Sequence, residues 1–424
     1  MWRTIMEDNI TKLIMDIGNS HIKLLVGEVS TDFTKIKVLQ YVEVPTKGMK
    51  KSVVESSDEL SYAIQKALNS LDNPEHREID KVTIGVGGKY IQSKTRKLSI
   101  EFEEREVQES DLERLYELAE ECLEPEDLVL KREMYNIKIN NAGIVKNPIG
   151  LVASRLEANV HLIYVDREDI EKMTDAIVEA GFDIENIYLN AYASLKSTLV
   201  DEESTKMGVA LVDIGEGVTD IIISKNHKII YSKSANLGGI HFMSDIMYLF
   251  HVSEEEAREV YSSYMKGEMG EQYISSSGKC FVKEDVEKII DARIGDIATF
   301  ILNTIQESGF TGYLGQGMVL TGGVASLDRL VGKINAQTGG IVRRKKPLPI
   351  RGLEKPEYRM ATVVGLFLEA IEEEMEAQQK RIYEAMREEE VEDDLEELLE
   401  DTRSEKKSSG ETFGKIKKWI SYFI

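Results

Sequence analysis

The sequence predicts a two-lobed α/β protein built from two copies of a strand–turn–strand unit. The first copy is LIMDIGNSHIKLLV (residues 13–26), in which an apolar strand ends at Asp16 and Gly18 before a second strand. The second copy is VALVDIGEGVTDIII (residues 209–223), where Asp213 and Gly215 hold the same places. Neither glycine turn opens a helix, so the pattern differs from a Rossmann motif. A repeated unit indicates a duplicated fold whose halves face each other across a cleft.

Both predicted turns suit a phosphate. Glycines allow a tight turn and close approach of a ligand, and successive backbone N–H groups can converge on an anion. Asp16 and Asp213 end the first strands, where carboxylates could hold Mg²⁺ through water. A structural hairpin with a hydrogen-bonded Asp would explain either copy alone, but the repetition favours a ligand site. The predicted turn positions are Gly18, Asn19, Ser20, Gly215, Glu216, Gly217, Val218 and Thr219.

A third element fits the same cleft. The stretch MVLTGGVAS (residues 318–326) predicts a buried strand that ends at Gly322 and Gly323, before a helix over residues 326–336. The two glycines allow a flat base or a ribose to lie against bare backbone. In this order, DIGNS, DIGEGVTD and LTGGVA resemble the first phosphate, second phosphate and adenosine motifs of the actin–Hsp70–sugar kinase superfamily. The resemblance implies an actin-like fold that binds ATP and Mg²⁺ between two lobes.

Composition narrows the classes of function. The 424 residues are enough for two or more domains. The two cysteines, Cys122 and Cys280, lie far apart and form neither a disulfide framework nor a zinc motif. The sequence has no apolar run of the length that spans a membrane. A net charge of −23 argues against general nucleic-acid binding, and the basic run at residues 343–346 is predicted to be a solvated strand end.

An insert refines the resemblance. Residues 89–163 predict short strands around one acidic helix (residues 110–122) that Ser110 would cap. They contain VKNPIGLVASRLEANVHLI, and residues 356–370 read PEYRMATVVGLFLEA. Both stretches resemble the FtsA family of bacterial division actins, and the resemblance covers about residues 13–370. In that family a subdomain called 1C replaces the 1B subdomain of actin.

The resemblance implies six segments. They are a first-lobe core (1A) at residues 12–88 and 164–205, a 1C-type insert at 89–163, a second-lobe core (2A) at 206–250 and 315–370, a subdomain 2B at 251–314, an acidic helix or linker at 371–411, and an amphipathic membrane-targeting helix at 412–424.

The chain departs from the family pattern at the predicted nucleotide site. The family motif DIGGGTTD is DIGEGVTD here, with Glu216 for Gly and Val218 for Thr. The family's AE..K helix has Arg258 and Tyr261 at the Glu and Lys positions. A carboxylate beside a triphosphate is repulsive unless it binds metal or turns away. We therefore expect ATP binding with weak hydrolysis at most. The resemblance also implies that two glycines lie near the ribose and phosphates, Gly238 and Gly239.

A possible partner site lies on a helix predicted over residues 281–304. Its segment IIDAR resembles the family helix whose arginine region receives the acidic C-terminal peptide of FtsZ. Arg293 suits this role because its guanidinium can bind a carboxylate bidentately. The alternative is a surface arginine paired with Asp291 or Asp296.

The C-terminal segment predicts membrane attachment. Residues 371–401 carry 15 acidic and 3 basic residues, and residues 388–411 predict a solvated linker. In residues 412–424, apolar side chains recur at helical spacing beside a tryptophan and between lysines, a pattern typical of a helix in a membrane interface. FtsA relatives carry such a helix. The alternative is docking onto the body or a partner. The apolar face consists of Phe413, Ile416, Trp419, Ile420 and Phe423.

Together these features predict an ATP-binding, self-assembling division protein. The resemblance implies a peripheral protein on the cytoplasmic side of the cell membrane, which tethers FtsZ filaments at the division site. Two other functions stay open. A pilus-assembly actin of the inner-membrane platform shares the fold and the insert, whereas a superfamily kinase would need a second substrate pocket and a catalytic base.

Overall fold

The computed structural model describes residues 9–50, 53–140, 142–199, 206–338 and 340–400. The chain divides after Ile371 into two compact units. Among the described residues, none of the helices is long and apolar enough to cross a membrane. The predicted amphipathic helix at residues 412–424 lies outside the described residues.

Seventeen strands lie in the described ranges, and they form two five-stranded sheets, one three-stranded sheet and two short hairpins. In chain order they are β1 (Ile10–Ile17), β2 (His21–Val29), β3 (Ile36–Pro45), β4 (Met49–Lys50), β5 (Val53–Val54), β6 (Lys81–Val86), β7 (Gln92–Glu106), β8 (Asp127–Ile139), β9 (Val152–Asp166), β10 (Asp183–Leu189), β11 (Val209–Ile214), β12 (Thr219–Lys225), β13 (Lys228–Ala235), β14 (Gln272–Ile274), β15 (Cys280–Val282), β16 (Met318–Thr321) and β17 (Val342–Arg344).

Helices cover the sheets. The α-helices are α1 (Ser57–Asn69), α2 (Glu109–Glu120), α3 (Arg167–Glu179), α4 (Asn190–Thr198), α5 (Ile240–Phe250), α6 (Glu254–Met265), α7 (Lys283–Glu307), α8 (Asp328–Thr338) and α9 (Ala361–Glu400). Short 3₁₀ turns occupy Pro74–Glu78, Thr311–Tyr313, Gly323–Ser326 and Tyr358–Met360.

The two large sheets confirm the predicted duplication. The first-lobe sheet has the order β10-β6-β1-β2-β3, and the second-lobe sheet has the order β13-β12-β11-β16-β17. Each contains an antiparallel hairpin whose first strand also pairs with a parallel neighbour. Asp16 is opposite Lys23 in the first hairpin, and Asp213 is opposite Asp220 in the second. Because the carboxyl ends of the central strands face the cleft, both aspartates lie where a ligand can reach them.

Separate apolar cores hold the lobes. In the first lobe, one buried cluster joins β2 and β3 to α9. The contact is close because Gly365 of α9 passes over the backbone of Ala193 in α4: a Cβ atom added at Gly365 would lie 1.7 Å from the Ala193 carbonyl oxygen. Phe367 lies over Gly27 of β2 in the same cluster. Glycine is therefore required at position 365 by backbone packing.

The insert is a three-stranded antiparallel sheet in the order β7-β9-β8, with α2 packed against it. Its strands reach 13 to 15 residues, longer than predicted. Its base contacts the second lobe. His161 of β9 is 2% exposed and contacts the hydroxyls of Thr95 at 2.8 Å and of Ser232, in β13, at 3.1 Å. Burial lowers the pKa of His161 to about 4, so the ring is neutral in this contact.

One apolar core is shared by three parts of the molecule. It includes Ile163 of the insert, Leu189 and Leu195 of the first lobe, and Leu211 and Ile222 of the second lobe. The insert therefore packs against both lobes. The exact subdomain boundaries given above stay a prediction.

The predicted first residues of three helices are wrong, and a local structural feature explains each difference. The helix α2 begins at Glu109 with Gln108 as its N-cap residue, so Ser110 lies inside the helix instead of capping it. The helix α7 begins at Lys283, because residues Cys280–Val282 pair with β14 as a strand. The helix α8 begins at Asp328, because a 3₁₀ turn over Gly323–Ser326 precedes it.

The predicted linker is also partly wrong. The helix α9 continues to Glu400, so the first half of residues 388–411 is helical. Glu and Leu dominate residues 388–400, and both have high helix propensity. A charged composition alone therefore does not distinguish a solvated helix from an extended linker.

Candidate functional site

A cavity of about 750 Å³ lies where the two hairpin turns face each other. Its wall includes residues of both lobes, as the duplication predicts. The predicted site residues that line it are Asp16, Gly18, Asn19, Ser20, Asp213, Gly215, Glu216, Gly217, Val218, Gly239, Gly322 and Gly323.

The two predicted metal-binding aspartates have different surroundings. The Asp16 carboxylate accepts a hydrogen bond from the Lys23 ammonium at 2.7 Å, and both side chains are almost fully buried. The Asp213 carboxylate accepts from the Ser194 hydroxyl at 2.5 Å and the Thr362 hydroxyl at 3.4 Å. Burial raises the pKa of Asp213, and the hydrogen bond from Ser194 opposes this shift. Each carboxylate is thus held in a fixed orientation at the floor of the cavity.

The residue opposite the aspartate is the main difference between the two hairpins. Seven positions after Asp16 the chain has Lys23, whereas seven positions after Asp213 it has Asp220. Burial raises the pKa of Asp220 to about 7, Asp213 adds to this shift, and a hydrogen bond donated by the Ser234 hydroxyl lowers it. The first hairpin supplies a fixed cation to the cavity, and the second supplies a carboxyl pair.

The residues of the cavity fit Mg²⁺ only if waters and substrate phosphates complete its coordination. Within the described ranges, no group of three or more His, Cys, Asp or Glu side chains could hold a metal by itself. Mg²⁺ is commonly held by one or two carboxylates, retained waters and substrate phosphates. Asp16 and Asp213 match this mode, because both line the cavity and the hydrogen bonds from Lys23 and Ser194 engage only Oδ2 of each carboxylate.

The turns of the two hairpins touch each other. A Cβ atom added at Gly217 would lie 2.1 Å from Nδ2 of Asn19, so the Asn19 side chain rests on bare backbone of the opposite lobe. The second turn is closed by a hydrogen bond from the Gly215 N–H to the Val218 carbonyl, at 2.9 Å. The contact between Asn19 and Gly217 brings the two predicted phosphate turns together at one wall of the cavity.

Two of the predicted ligand contacts, Thr219 and Gly238, pack against the second turn and do not line the cavity. The Thr219 hydroxyl donates to the Leu237 carbonyl at 2.6 Å and is fully buried. A Cβ atom added at Gly238 would lie 2.5 Å from the Gly215 carbonyl oxygen. Thr219 and Gly238 thus support the turn in this structure, and their predicted ligand contacts stay a prediction, because the sequence pattern does not show which side of the turn faces the ligand.

The departures from the family pattern lie next to each other. The Arg258 guanidinium is 3.1 Å from the Glu216 carboxylate and 3.3 Å from Glu254. Tyr261 stacks on Phe242 with ring centroids 5.4 Å apart. Burial, and then the Glu216 charge, raise the pKa of Tyr261. The unusual acid of the turn therefore has a basic partner on α6.

The third predicted element closes another part of the wall. Gly322 has φ of +86°, and a Cβ atom there would lie 2.3 Å from Oδ1 of Asp213. Its N–H donates to the Tyr358 carbonyl at 3.3 Å. The Tyr358 ring has the charged ends of Arg344 and Lys346 within 5.6 Å and 5.4 Å of its centroid. Lys346 lines the cavity, so the basic run predicted to be a solvated strand end contributes a cation to the site.

A charged group on β3 was not predicted from the sequence. Glu43 lies 3.3 Å from Nε of Arg359 and 3.6 Å from Nδ1 of His21, and the Tyr41 hydroxyl donates to it at 3.1 Å. Burial lowers the pKa of His21, and Glu43 opposes this shift. The alternation of β3 could have pointed to Glu43, because it is opposite Lys23 in the strand ladder.

Arg293 lies outside the cavity and is engaged by acids. Its guanidinium contacts Asp245 through two nitrogens at 2.7 Å and 2.8 Å, and Asp296 at 3.1 Å. Asp291 pairs with Arg329 instead. The structure thus contains the intramolecular pairing considered above as the alternative. Phe413, Ile416, Trp419, Ile420 and Phe423 lie outside the described residues.

Curated relatives match most of the chain. The chain is 26% identical over 375 residues to the cell division protein FtsA of Pseudomonas aeruginosa, a match that covers 85% of this chain and 89% of the relative. It is 28% identical over 374 residues to the cell division protein FtsA of Bacillus subtilis, a match that covers 85% of this chain and 83% of that relative.

Solved structures support the fold. A PilM–PilN type IV pilus biogenesis complex matches with a TM-score of 0.62 at 14% identity, covering 85% of this chain and 99% of that one. MreB 5 of Spiroplasma citri bound to AMPPNP matches with a TM-score of 0.50 at 12% identity, covering 87% of this chain and 98% of that one. The predicted actin-like fold is confirmed.

A family model described as type IV pilus assembly protein PilM matches residues 15–344. This range includes the turns of both hairpins, the insert and the glycines of the third element. The chain therefore belongs to this PilM family of actin-like proteins, and its curated relatives make it an FtsA-like protein.

Proposed function

We propose that this chain is an ATP-binding, actin-like division protein that assembles on the cytoplasmic face of the cell membrane and tethers FtsZ filaments there. One observation carries the nucleotide part of the proposal: Asp16 and Asp213 end equivalent strands and meet across a 750 Å³ cavity walled by two glycine turns. The FtsA relatives support the division part.

In this proposal each wall of the cavity binds a different part of the ligand. Backbone N–H groups of the turns that contain Gly18 and Gly217 would bind the phosphates, with Lys23 as a nearby cation. Asp16 and Asp213 would hold Mg²⁺ through water, and the ion would offset the phosphate charge in this acidic site. Gly322 and Gly323 leave bare backbone for the nucleoside. Because the residues that contact the ligand come from both lobes, ATP should favour the closed arrangement by differential affinity.

ATP with Mg²⁺ should raise the melting temperature of the full chain. A ligand that binds only the folded state stabilises it by about 2.7 kcal/mol at a concentration of 100 Kd. Asp16→Ala and Asp213→Ala should each reduce this shift strongly, as measured by thermal unfolding with and without millimolar ATP. Asp285→Ala is the matched control, since Asp285 is exposed on α7 away from the cavity. An unchanged melting temperature of the intact protein in millimolar ATP would contradict the nucleotide site.

Arg293 is proposed to take part in binding the acidic C-terminal peptide of FtsZ, in competition with Asp245. Arg293→Glu should weaken peptide binding about tenfold, because losing one side of a charged hydrogen bond typically costs about 1.5–3 kcal/mol. Asp245→Asn should instead tighten binding, since it frees the guanidinium from a bidentate partner. Peptide titration by fluorescence anisotropy distinguishes the two directions. Equal affinity of Arg293→Glu and the parent protein would remove α7 from the partner site.

Membrane attachment is proposed to depend on many weak contacts. A single amphipathic helix at residues 412–424 binds reversibly, whereas tails arrayed along a polymer gain avidity. The tether is proposed to lie in the membrane interface, because residues 412–424 combine apolar side chains at helical spacing with flanking lysines.

A second candidate function is a platform protein of type IV pilus assembly, favoured by the family model and by the PilM–PilN complex. The two proposals differ in what the chain brings to a membrane. For a division tether, FtsZ filaments should sediment with anionic liposomes only when the full chain is present. For a pilus platform, the chain should not recruit FtsZ under any nucleotide condition.

A further inference from the structure

We propose that Arg258 is a positioning residue that neutralises Glu216 and thereby makes the second turn compatible with phosphate. This inference rests on the proposed nucleotide site and deepens it. The two residues are 42 positions apart in sequence, and both line the cavity. They replace a glycine and a glutamate of the family pattern, so one pair accounts for two of the four departures.

Glu216 cannot move away from the site by rearranging its turn. Its carbonyl oxygen accepts the Ile240 N–H at 2.7 Å, and the neighbouring Gly215 carbonyl accepts the Gly239 N–H at 3.0 Å. Gly238 packs directly beneath both carbonyls. The backbone of the turn is thus tied to the start of α5, and the Glu216 side chain, 17% exposed, lies at the cavity wall.

Arg258 is placed to compensate this carboxylate. It projects from α6, contacts Glu216 at 3.1 Å and keeps a second contact with Glu254 at 3.3 Å. His21 of the opposite lobe also faces Glu216, but burial lowers the pKa of His21, so its ring is neutral at neutral pH. Arg258 therefore provides the charge that His21 does not.

The pairing has a direct consequence for a phosphate ligand. With Arg258 present, the turn presents its N–H groups beside a neutralised carboxylate. Without it, an unpaired carboxylate faces the phosphates across a partly buried wall, where charges interact more strongly than in water. A ligand without phosphates would not experience this repulsion.

A double-mutant cycle on the full chain tests the proposal. The variants are Arg258→Ala, Glu216→Gly and the double variant, titrated calorimetrically with Mg·AMPPNP and with adenosine. Arg258→Ala should weaken Mg·AMPPNP binding about tenfold, the usual order for truncating one partner of a charged contact. The double variant should return to within about threefold of the parent protein. Adenosine affinity should change less than about threefold throughout.

The controls separate this role from others. Arg258→Lys keeps the charge and should retain most of the affinity, and Glu254→Gln removes only the outer partner and should be neutral. If the double variant binds Mg·AMPPNP as weakly as Arg258→Ala, Arg258 contacts the ligand itself and the proposal fails. An equal loss for adenosine would show a structural role and also overturn it. If the parent protein binds neither ligand, the nucleotide site fails together with this inference.

Discussion

Deleting residues 412–424 should abolish sedimentation of the full chain with anionic liposomes, and Trp419→Glu should do nearly the same. A helix of 13 residues is about 20 Å long at 1.5 Å per residue, too short to span a bilayer core of about 30 Å but long enough to lie along its surface. Each lysine near an anionic surface adds about 1 kcal/mol. Attachment should therefore need anionic lipid and weaken as salt is raised.

A matched control uses the opposite face of the same predicted helix. Ser421→Glu adds the same charge as Trp419→Glu, but at a polar position, and should cost much less binding. ATP-dependent thermal stabilisation should persist in every tail variant, since the cavity belongs to the other compact unit. Residues 412–424 fused to a dimeric fluorescent carrier test sufficiency. A carrier that stays in solution, together with unchanged sedimentation of Trp419→Glu, would exclude the membrane tether.

Gly365→Ala should destabilise the protein by about 3 kcal/mol or more. The added Cβ atom would lie 1.7 Å from the carbonyl oxygen of Ala193 and 2.1 Å from its carbonyl carbon, both backbone atoms that cannot rotate away. Relief requires α4 and α9 to separate, and overpacking of a dense core typically costs about 1–3 kcal/mol, occasionally more. Equilibrium denaturation in urea measures the effect.

Gly332→Ala provides the control for helix propensity. Gly332 lies in α8, where an added Cβ atom has no atom within 4 Å. The same substitution should there stabilise the protein by up to about 1 kcal/mol, because alanine is the better helix former. Opposite signs at the two positions would assign the loss at Gly365 to the crossing of α4 and α9. A neutral Gly365→Ala would mean that the two helices are not in close contact in solution.

The parts of the site that follow from local patterns could be predicted from the sequence. A strand, an aspartate and a glycine turn are adjacent in the chain, so Asp16 and Asp213 could be placed at the cleft without any tertiary information. Ser194 could not, since it lies 19 positions before Asp213 and reaches it only because α4 packs beside β11. Thr362 comes from 149 positions later.

The same distinction explains the other differences. Glu216 and Arg258 were each recognisable as departures, but their opposite charges could be matched only once α6 was placed over the turn. The predicted helix starts at Phe281, yet residues Cys280–Val282 pair with β14 as a strand, in agreement with the β propensity of Phe and Val. The alternation of apolar and polar residues likewise does not show that Thr219 and Gly238 lie on the side of the turn away from the cavity.

The core shared by the insert and both lobes has a mechanical consequence. A free hinge needs few contacts across the moving boundary, but here Ile163, Leu195 and Ile222 pack in one cluster, and His161 is hydrogen-bonded to Ser232 of the second lobe. Rotation of one lobe against the other would therefore require small sliding steps along this dense interface. Each such step would displace the base of the insert, so opening of the cleft and movement of the insert would be mechanically coupled.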